Sequence, residues 1–345
     1  MKVFLHGSLN NRNFGDELLV SMMSFYVTRK RPGVTVHLKA SEKCFDEIKQ
    51  YTNVKNIKTI LGISKVDTVI FGGGGYFGSP SEKLSRWDIN FSYKFFPIFL
   101  LSIFLRKRIL IFGTGFGPMP FVLNRWFLKR LVRRSSRVFV RDVESMRFVR
   151  EDLKCDAKLT SDMVSNRTLF MDFIKHNVPM YKYKEDKYIV LHNISYNFFE
   201  NTFAEREDLS DYHFIIMYDS EKEFQNAEIT NYLTSNNVSF EIEGYESIGK
   251  VINIISGAQL VLTSKLHVGI VSTTLGVSTI SVPVHIKTIR YYQMFKIEDI
   301  CLDKDQLKGL PYMSTIKDLI DFSSKILVRR KSKFDSFSDI EACLE

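Results

Sequence analysis

Ten short stretches of the chain are almost continuously apolar and rich in β-branched and aromatic residues: 2–6, 34–38, 68–71, 108–112, 137–140, 188–191, 213–217, 238–242, 259–262 and 277–282. Such runs, lacking polar alternation, suit strands covered on both faces, as in parallel sheets. Between them apolar positions recur at helical spacing. Over 17–30, Leu18, Leu19, Met22, Met23 and Tyr26 share one side, and 123–134, 143–153, 247–257 and 267–275 follow the same pattern. Strand and helix alternate throughout, which predicts an α/β protein with parallel sheets. One sheet holding all ten strands would be unusually wide, so two doubly wound, Rossmann-like domains are expected. The charged, proline-containing stretch 173–187 precedes a fresh strand. It sets the expected domains at 1–180 and 181–345, the second ending in a stretch, 317–333, that reads as helical and then basic.

Composition narrows the class. With 345 residues, 45% hydrophobic and 25% charged, the chain is an ordinary globular one of two-domain length. Cys44, Cys155, Cys301 and Cys343 lie far apart, with no CxxC pair, which excludes a zinc ribbon and a disulfide framework and fits free thiols. The opening turns polar by Gly7, too soon for a secretory leader, so a cytoplasmic location is expected.

Charge is uneven. Residues 1–150 hold 26 Lys/Arg against 10 Asp/Glu, whereas residues 151–345 hold 22 against 29. A basic half points to an anionic partner, unless it is simply a solvated surface. The apolar run 95–105 is too short to span a bilayer, which takes about 20 residues. A buried helix is expected there. The alternative is a peripheral contact, with the run in the headgroups and Arg106, Lys107 and Arg108 on anionic lipid.

In open parallel sheets, ligands bind beyond the carboxyl ends of the strands. After the first strand comes a Gly/Asn-rich loop with Asn13, Gly15 and Asp16, opening a helix whose N-terminus suits an anion; alternatively Asn13 or Asp16 is only a helix cap. After Phe71 come Gly72, Gly73, Gly74 and Gly75, more glycine than a turn needs, which favours a loop facing a ligand. After Phe112 a third glycine loop runs Gly113-Thr114-Gly115-Phe116-Gly117-Pro118. Arg141 ends the next strand, placed for a carboxylate or phosphate or else paired with Asp142. In the second half, Ser264-Lys265-Leu266-His267 opens a helix after Leu262, uniting a cation, a proton-exchanging group and a helix N-terminus. Lys287 and Arg290 follow the next strand. The remaining histidines His6, His37, His176, His192 and His213 look isolated. No HExxH, GxSxG or metal-ligand spacing is present, so neither a metal nor another cofactor is expected. No nucleic-acid-binding module is legible, and buried strands account for the Phe residues among the basic ones at 104–137.

Taken in order, Asn13-x-Gly15-Asp16, Gly72–Gly75, Gly113-x-Gly115-x-Gly117-Pro118, Arg141-Asp142-x-x-Ser145, Ser161-Asp162, Ser264-Lys265-Leu266-His267, Gly276-Val277 and Lys287 form a series. It resembles the polysaccharide pyruvyl transferase family over roughly residues 1–300. The resemblance implies a glycosyltransferase-B-like fold with the site between two domains. It implies transfer of a pyruvyl group from phosphoenolpyruvate to a sugar of a bacterial surface polysaccharide precursor, free or lipid-linked, as a cyclic ketal. On that basis His267 is the expected general acid. Arg141, Lys265, Leu266 and Lys287 are expected to bind the donor, and Asn13, Gly15, Asp16, Gly73, Gly74, Gly75, Thr114 and Gly115 to line the cleft. The family usually has arginine where this chain has Lys265, which keeps the charge but loses a two-pronged grip on a carboxylate. The rival expectations are a nucleotide-sugar glycosyltransferase of the same fold and a non-catalytic member of a polysaccharide assembly complex.

Overall fold

The structure, a computed structural model, describes residues 1–79, 83, 85–204, 206–219, 227–303, 305–306 and 313–330. The chain divides into two compact units, one holding Met1–Asn177 and the other beginning at Val178.

The first unit alternates strand and helix: β1 (Lys2–His6), α1 (Phe14–Lys30), β2 (Thr35–Leu38), α2 (Glu42–Ile48), β3 (Val54–Asn56), β4 (Thr68–Gly72), α3 (Arg86–Phe104), β5 (Arg108–Thr114), α4 (Val122–Arg134), β6 (Arg137–Val140), α5 (Val143–Glu151), β7 (Lys158–Leu159) and α6 (Arg167–Asn177). Its seven strands are parallel, in the order β3-β2-β1-β4-β5-β6-β7. The order reverses between β1 and β4, the point where an open sheet leaves a crevice at its carboxyl edge. The central strands are buried on both faces, as their unbroken apolar runs require. Phe4, Val69, Phe71, Ile109 and Ile111 pack with Phe91, Ile98 and Phe99 of α3 and Leu128 and Leu131 of α4. On the other face Tyr26 of α1 is fully buried, and its hydroxyl donates to the Leu169 carbonyl of α6 at 2.6 Å, joining those two helices.

The second unit comprises β8 (Tyr188–His192), α7 (Tyr196–Phe203), β9 (His213–Tyr218), α8 (Ala227–Ser235), β10 (Phe240–Gly244), α9 (Ile248–Gly257), β11 (Leu260–Thr263), α10 (Leu266–Leu275), β12 (Thr279–Ser281), α11 (Ile286–Phe295) and α12 (Ile316–Leu327). Its five parallel strands run β10-β9-β8-β11-β12, reversing between β8 and β11. The stretch that opens this unit is pinned to it. Asn253 of α9 accepts from the Tyr181 N–H at 2.9 Å and donates to the Pro179 carbonyl at 3.0 Å. The helical part of the expected C-terminal stretch is α12; residues 331–333 lie outside those described.

One expectation needs correction. Residues 95–105 are not a buried helix but the end of α3, which is covered on one side only. Ile98 and Phe99 face the sheet, while Tyr93, Leu100 and Phe104 are 78%, 53% and 84% exposed. The long apolar run hid a one-sided helix, because its outer face is also apolar. Among the described residues, no helix is long and apolar enough to cross a membrane.

Candidate functional site

At the carboxyl edge of the first sheet, Asn13 caps α1, its side chain accepting from the Asp16 N–H at 3.1 Å. Asn13 therefore starts the helix, and Gly15 is buried within its first turn. The glycine loops after β4 and β5 meet: the Gly115 N–H donates to the Gly74 carbonyl at 3.0 Å. Gly73 and Gly74 hold φ of +65° and +77°, a conformation that glycine adopts without strain. A Cβ on Gly74 would lie 3.6 Å from Asp16 Oδ1, and one on Gly115 would lie 2.8 Å from Arg141 Nη2. Asp16, the two glycine loops and Arg141 thus form one cluster, and Thr114 supplies the carbonyl that fixes the Arg141 N–H at 3.1 Å.

Arg141 is 7% exposed. Asp142 Oδ2 is 3.7 Å from its Nε and Asp162 Oδ2 is 3.8 Å from its Nη1, within Coulombic range but too long for hydrogen bonds. Asp142 is instead the cap of α5, accepting from the Ser145 N–H at 2.7 Å. Arg141 Nη1 has no hydrogen-bond partner among the described residues. A buried, unsatisfied guanidinium N–H is costly, and an anionic acceptor arriving there recovers that cost.

The second sheet assembles a denser polar group. Lys265 is the N-cap of α10, with its side chain making no cap hydrogen bond, and it stands at the positive end of that helix dipole. Leu266 is buried, so it contributes its backbone rather than its side chain. His267, half-buried, sits one residue further into the same turn. Ser264 Oγ locks the approach by donating to the Asn193 carbonyl at 2.6 Å. His285, at the start of α11, has its pKa lowered by desolvation and by the charges of Lys287 and Lys265, which places all three side chains in one electrostatic neighbourhood.

Sequence reasoning missed two members. Asp219, just past β9, lies 3.3 Å from Lys265 Nζ and 3.3 Å from His192 Nε2 at the end of β8. Burial opposes ionisation of Asp219, but His192 and Lys265 together outweigh it and hold the pKa down at about 2. The reading of His192 as isolated is therefore corrected: β8 and β9 are neighbouring strands, and their paired ends bring together residues far apart in sequence. The signal was available, since Asp219 follows an apolar run as directly as Arg141 does. His176 and His213 also have carboxylates within reach, at 3.3 Å from Asp172 and 3.8 Å from Glu241. No group of His, Cys, Asp and Glu able to hold a metal ion occurs among the described residues.

Two doubly wound domains, each a parallel sheet alternating with helices, define a glycosyltransferase-B-like fold. Solved structures agree on the fold. The UDP-GlcNAc 2-epimerase from Neisseria meningitidis bound to UDP-GlcNAc is similar at 11% identity and a TM-score of 0.64, covering 99% of this chain and 98% of that one. The Staphylococcus aureus MnaA–UDP structure is similar at 12% identity and 0.62, covering 99% and 94%, and Acinetobacter baumannii MurG at 12% and 0.51, covering 99% and 98%. The chain belongs to the polysaccharide pyruvyl transferase family, whose model matches residues 9–286. Among curated proteins, none matches the chain.

Proposed function

We propose that this transferase moves the pyruvyl group of phosphoenolpyruvate onto two hydroxyls of a sugar, closing a cyclic ketal. The observation that supports the reading is the start of α10 just past β11, where Lys265 is the N-cap and His267 lies in the first turn at the positive end of the helix dipole. Phosphoenolpyruvate presents a carboxylate and a phosphate, and Lys265, Lys287 and the Leu266 N–H are assigned to that charge. Arg141, in the first unit, is assigned to a carboxylate or phosphate by its unsatisfied Nη1. The chemistry adds a proton to the methylene carbon, making it a methyl group. A sugar hydroxyl attacks the carbon bearing oxygen, phosphate departs with its bonding pair, and a second hydroxyl closes the ring. His267 is assigned the first proton, and then the base role that receives one from a hydroxyl.

The test is a thermal-shift comparison of phosphoenolpyruvate, UDP and CMP. A ligand at about 100 times its dissociation constant stabilises by roughly 2.7 kcal/mol. Stabilisation by phosphoenolpyruvate, abolished in Lys265→Ala, is expected. Stabilisation by UDP alone would replace this reading with a nucleotide-sugar glycosyltransferase, and none from any of the three would favour a non-catalytic role.

The acceptor in this reading is a polysaccharide precursor carried at a membrane surface. Along α3, Ile89, Tyr93, Pro97, Leu100 and Phe104 recur at helical spacing and are all exposed, and on α4 Val122, Leu123 and Trp126 are exposed too. From Arg86 to Arg137 there are eleven Lys/Arg and one acidic residue, Asp88, which is buried. An exposed apolar stripe with tyrosine and tryptophan, set in uncompensated positive charge, fits an anionic lipid surface.

A further inference from the structure

A cavity of about 370 Å³ opens in the first unit, between the end of β1, the residue after β2 and the outer part of α3. That lies in the size range of ligand pockets, about 300–1,000 Å³. Two cations line it, Lys39 and Lys94, and its lining contains no carboxylate. Neither lysine makes an ion pair among the described residues, so their charge faces the cavity uncompensated. His6 forms part of the wall, in contact with Phe95 at 4.9 Å and Tyr76 at 5.6 Å between ring centres. Desolvation pushes the His6 pKa down to about 4, against a backbone hydrogen bond at Gly7, so the ring is neutral near pH 7. Its Nε2 has no hydrogen-bond partner among the described residues. Asn10 and Asn90 add amide donors and acceptors, and Tyr76 and Tyr93 add aromatic surface.

This combination selects a ligand class. Unpaired ammonium groups with no carboxylate call for an anion, and the cavity is far larger than a phosphate ion. Amides beside aromatic faces suit a ring that is polar at its edge and less so on its face. We propose that this pocket binds a phosphate-bearing sugar, its phosphate on Lys39 and Lys94 and its ring among Asn10, Asn90 and the tyrosines. Tyr93 lies both in the pocket wall and on the exposed stripe of α3, so a lipid attached through that phosphate leaves the pocket onto the apolar surface. Calling this ligand the acceptor rests on the pyruvyl-transfer reading; its binding does not.

The experiment is titration calorimetry of the whole chain with the 1-phosphates of glucose, galactose, mannose and N-acetylglucosamine, with inorganic phosphate and the neutral sugars as controls. At least one sugar phosphate is expected to bind more tightly than both phosphate and its neutral sugar. The Lys39→Ala/Lys94→Ala variant is expected to weaken it by about tenfold or more, whereas Lys265→Ala leaves it unchanged. Both lysines are exposed, so the double variant keeps its fold. Three results would each overturn the assignment: no sugar phosphate binding, affinity indifferent to the double variant, or affinity lost with Lys265→Ala. Failure of phosphoenolpyruvate to bind would leave this result standing, which separates the two readings.

Discussion

Lys265 stands at the N-terminus of α10, where a helix dipole disfavours positive charge. Asp219 makes that placement tolerable, and Asp219 in turn stays ionised despite burial because of His192 and Lys265. A carboxyl whose pKa is lower in the folded chain than in the unfolded one stabilises the fold above the unfolded value. Its contribution, on the order of 2 kcal/mol, is therefore whole above about pH 4 and is lost as pH falls toward 2. Asp219→Asn should shed that increment and flatten the Tm profile below pH 4; an unchanged profile would show that the carboxylate adds nothing. His6 titrates higher. Its pKa is also lower folded than unfolded, so its neutral form favours folding above 6.5, and that contribution fades as pH drops toward 4. Calorimetric Tm values across that window should fall in the wild type and less so in His6→Gln. For the chemistry itself, His267→Gln should cost about a hundredfold or more in kcat with phosphoenolpyruvate affinity little changed, measured as phosphate release with a working acceptor.

Elements were the most legible level. Every strand buried on both faces announced itself as an apolar run, because each of its side chains meets a helix. The two strands that escaped, β3 and β7, are short pieces at the sheet margins carrying Lys55 and Lys158, where one face is wet and pairing rather than burial makes the strand. The helices that escaped, such as α7 and α11, mix aromatic and polar residues on both sides. The glycine loops were legible too, and Asp219 stood in the same position after an apolar run as Arg141, but its partnership with His192 was not legible, since only the pairing of β8 with β9 makes neighbours of them. At this scale the glycine after Thr114 has a specific role. Gly115→Ala would drive a methyl into Arg141, so anion binding at Arg141 should weaken by about tenfold with only modest loss of Tm. Asn13→Ala, by contrast, removes a cap and should cost about 1 kcal/mol of stability, read by urea unfolding.

For the whole molecule, the exposed apolar residues of α3 and α4 lie in a stretch of chain rich in Lys and Arg. Arg130 stacks over Trp126 at 4.9 Å, so even the tryptophan carries a cation with it. Binding to vesicles of anionic lipid should be strong at low salt and fall steeply as ionic strength rises, while vesicles of zwitterionic lipid should hold the protein poorly. Leu100→Asp with Phe104→Asp should weaken co-sedimentation at any salt without altering phosphoenolpyruvate binding. If the double variant sediments like the wild type, the stripe does not meet the lipid.

In the pyruvyl-transfer reading, the ammonium proposed to meet phosphoenolpyruvate is already paired with Asp219. A newly bound phosphate must share it, and the carboxyl left with half a counterion becomes a better base. Uptake of hydrogen ions should therefore accompany donor binding in mildly acid solution, visible as a binding heat that changes with the ionisation enthalpy of the buffer.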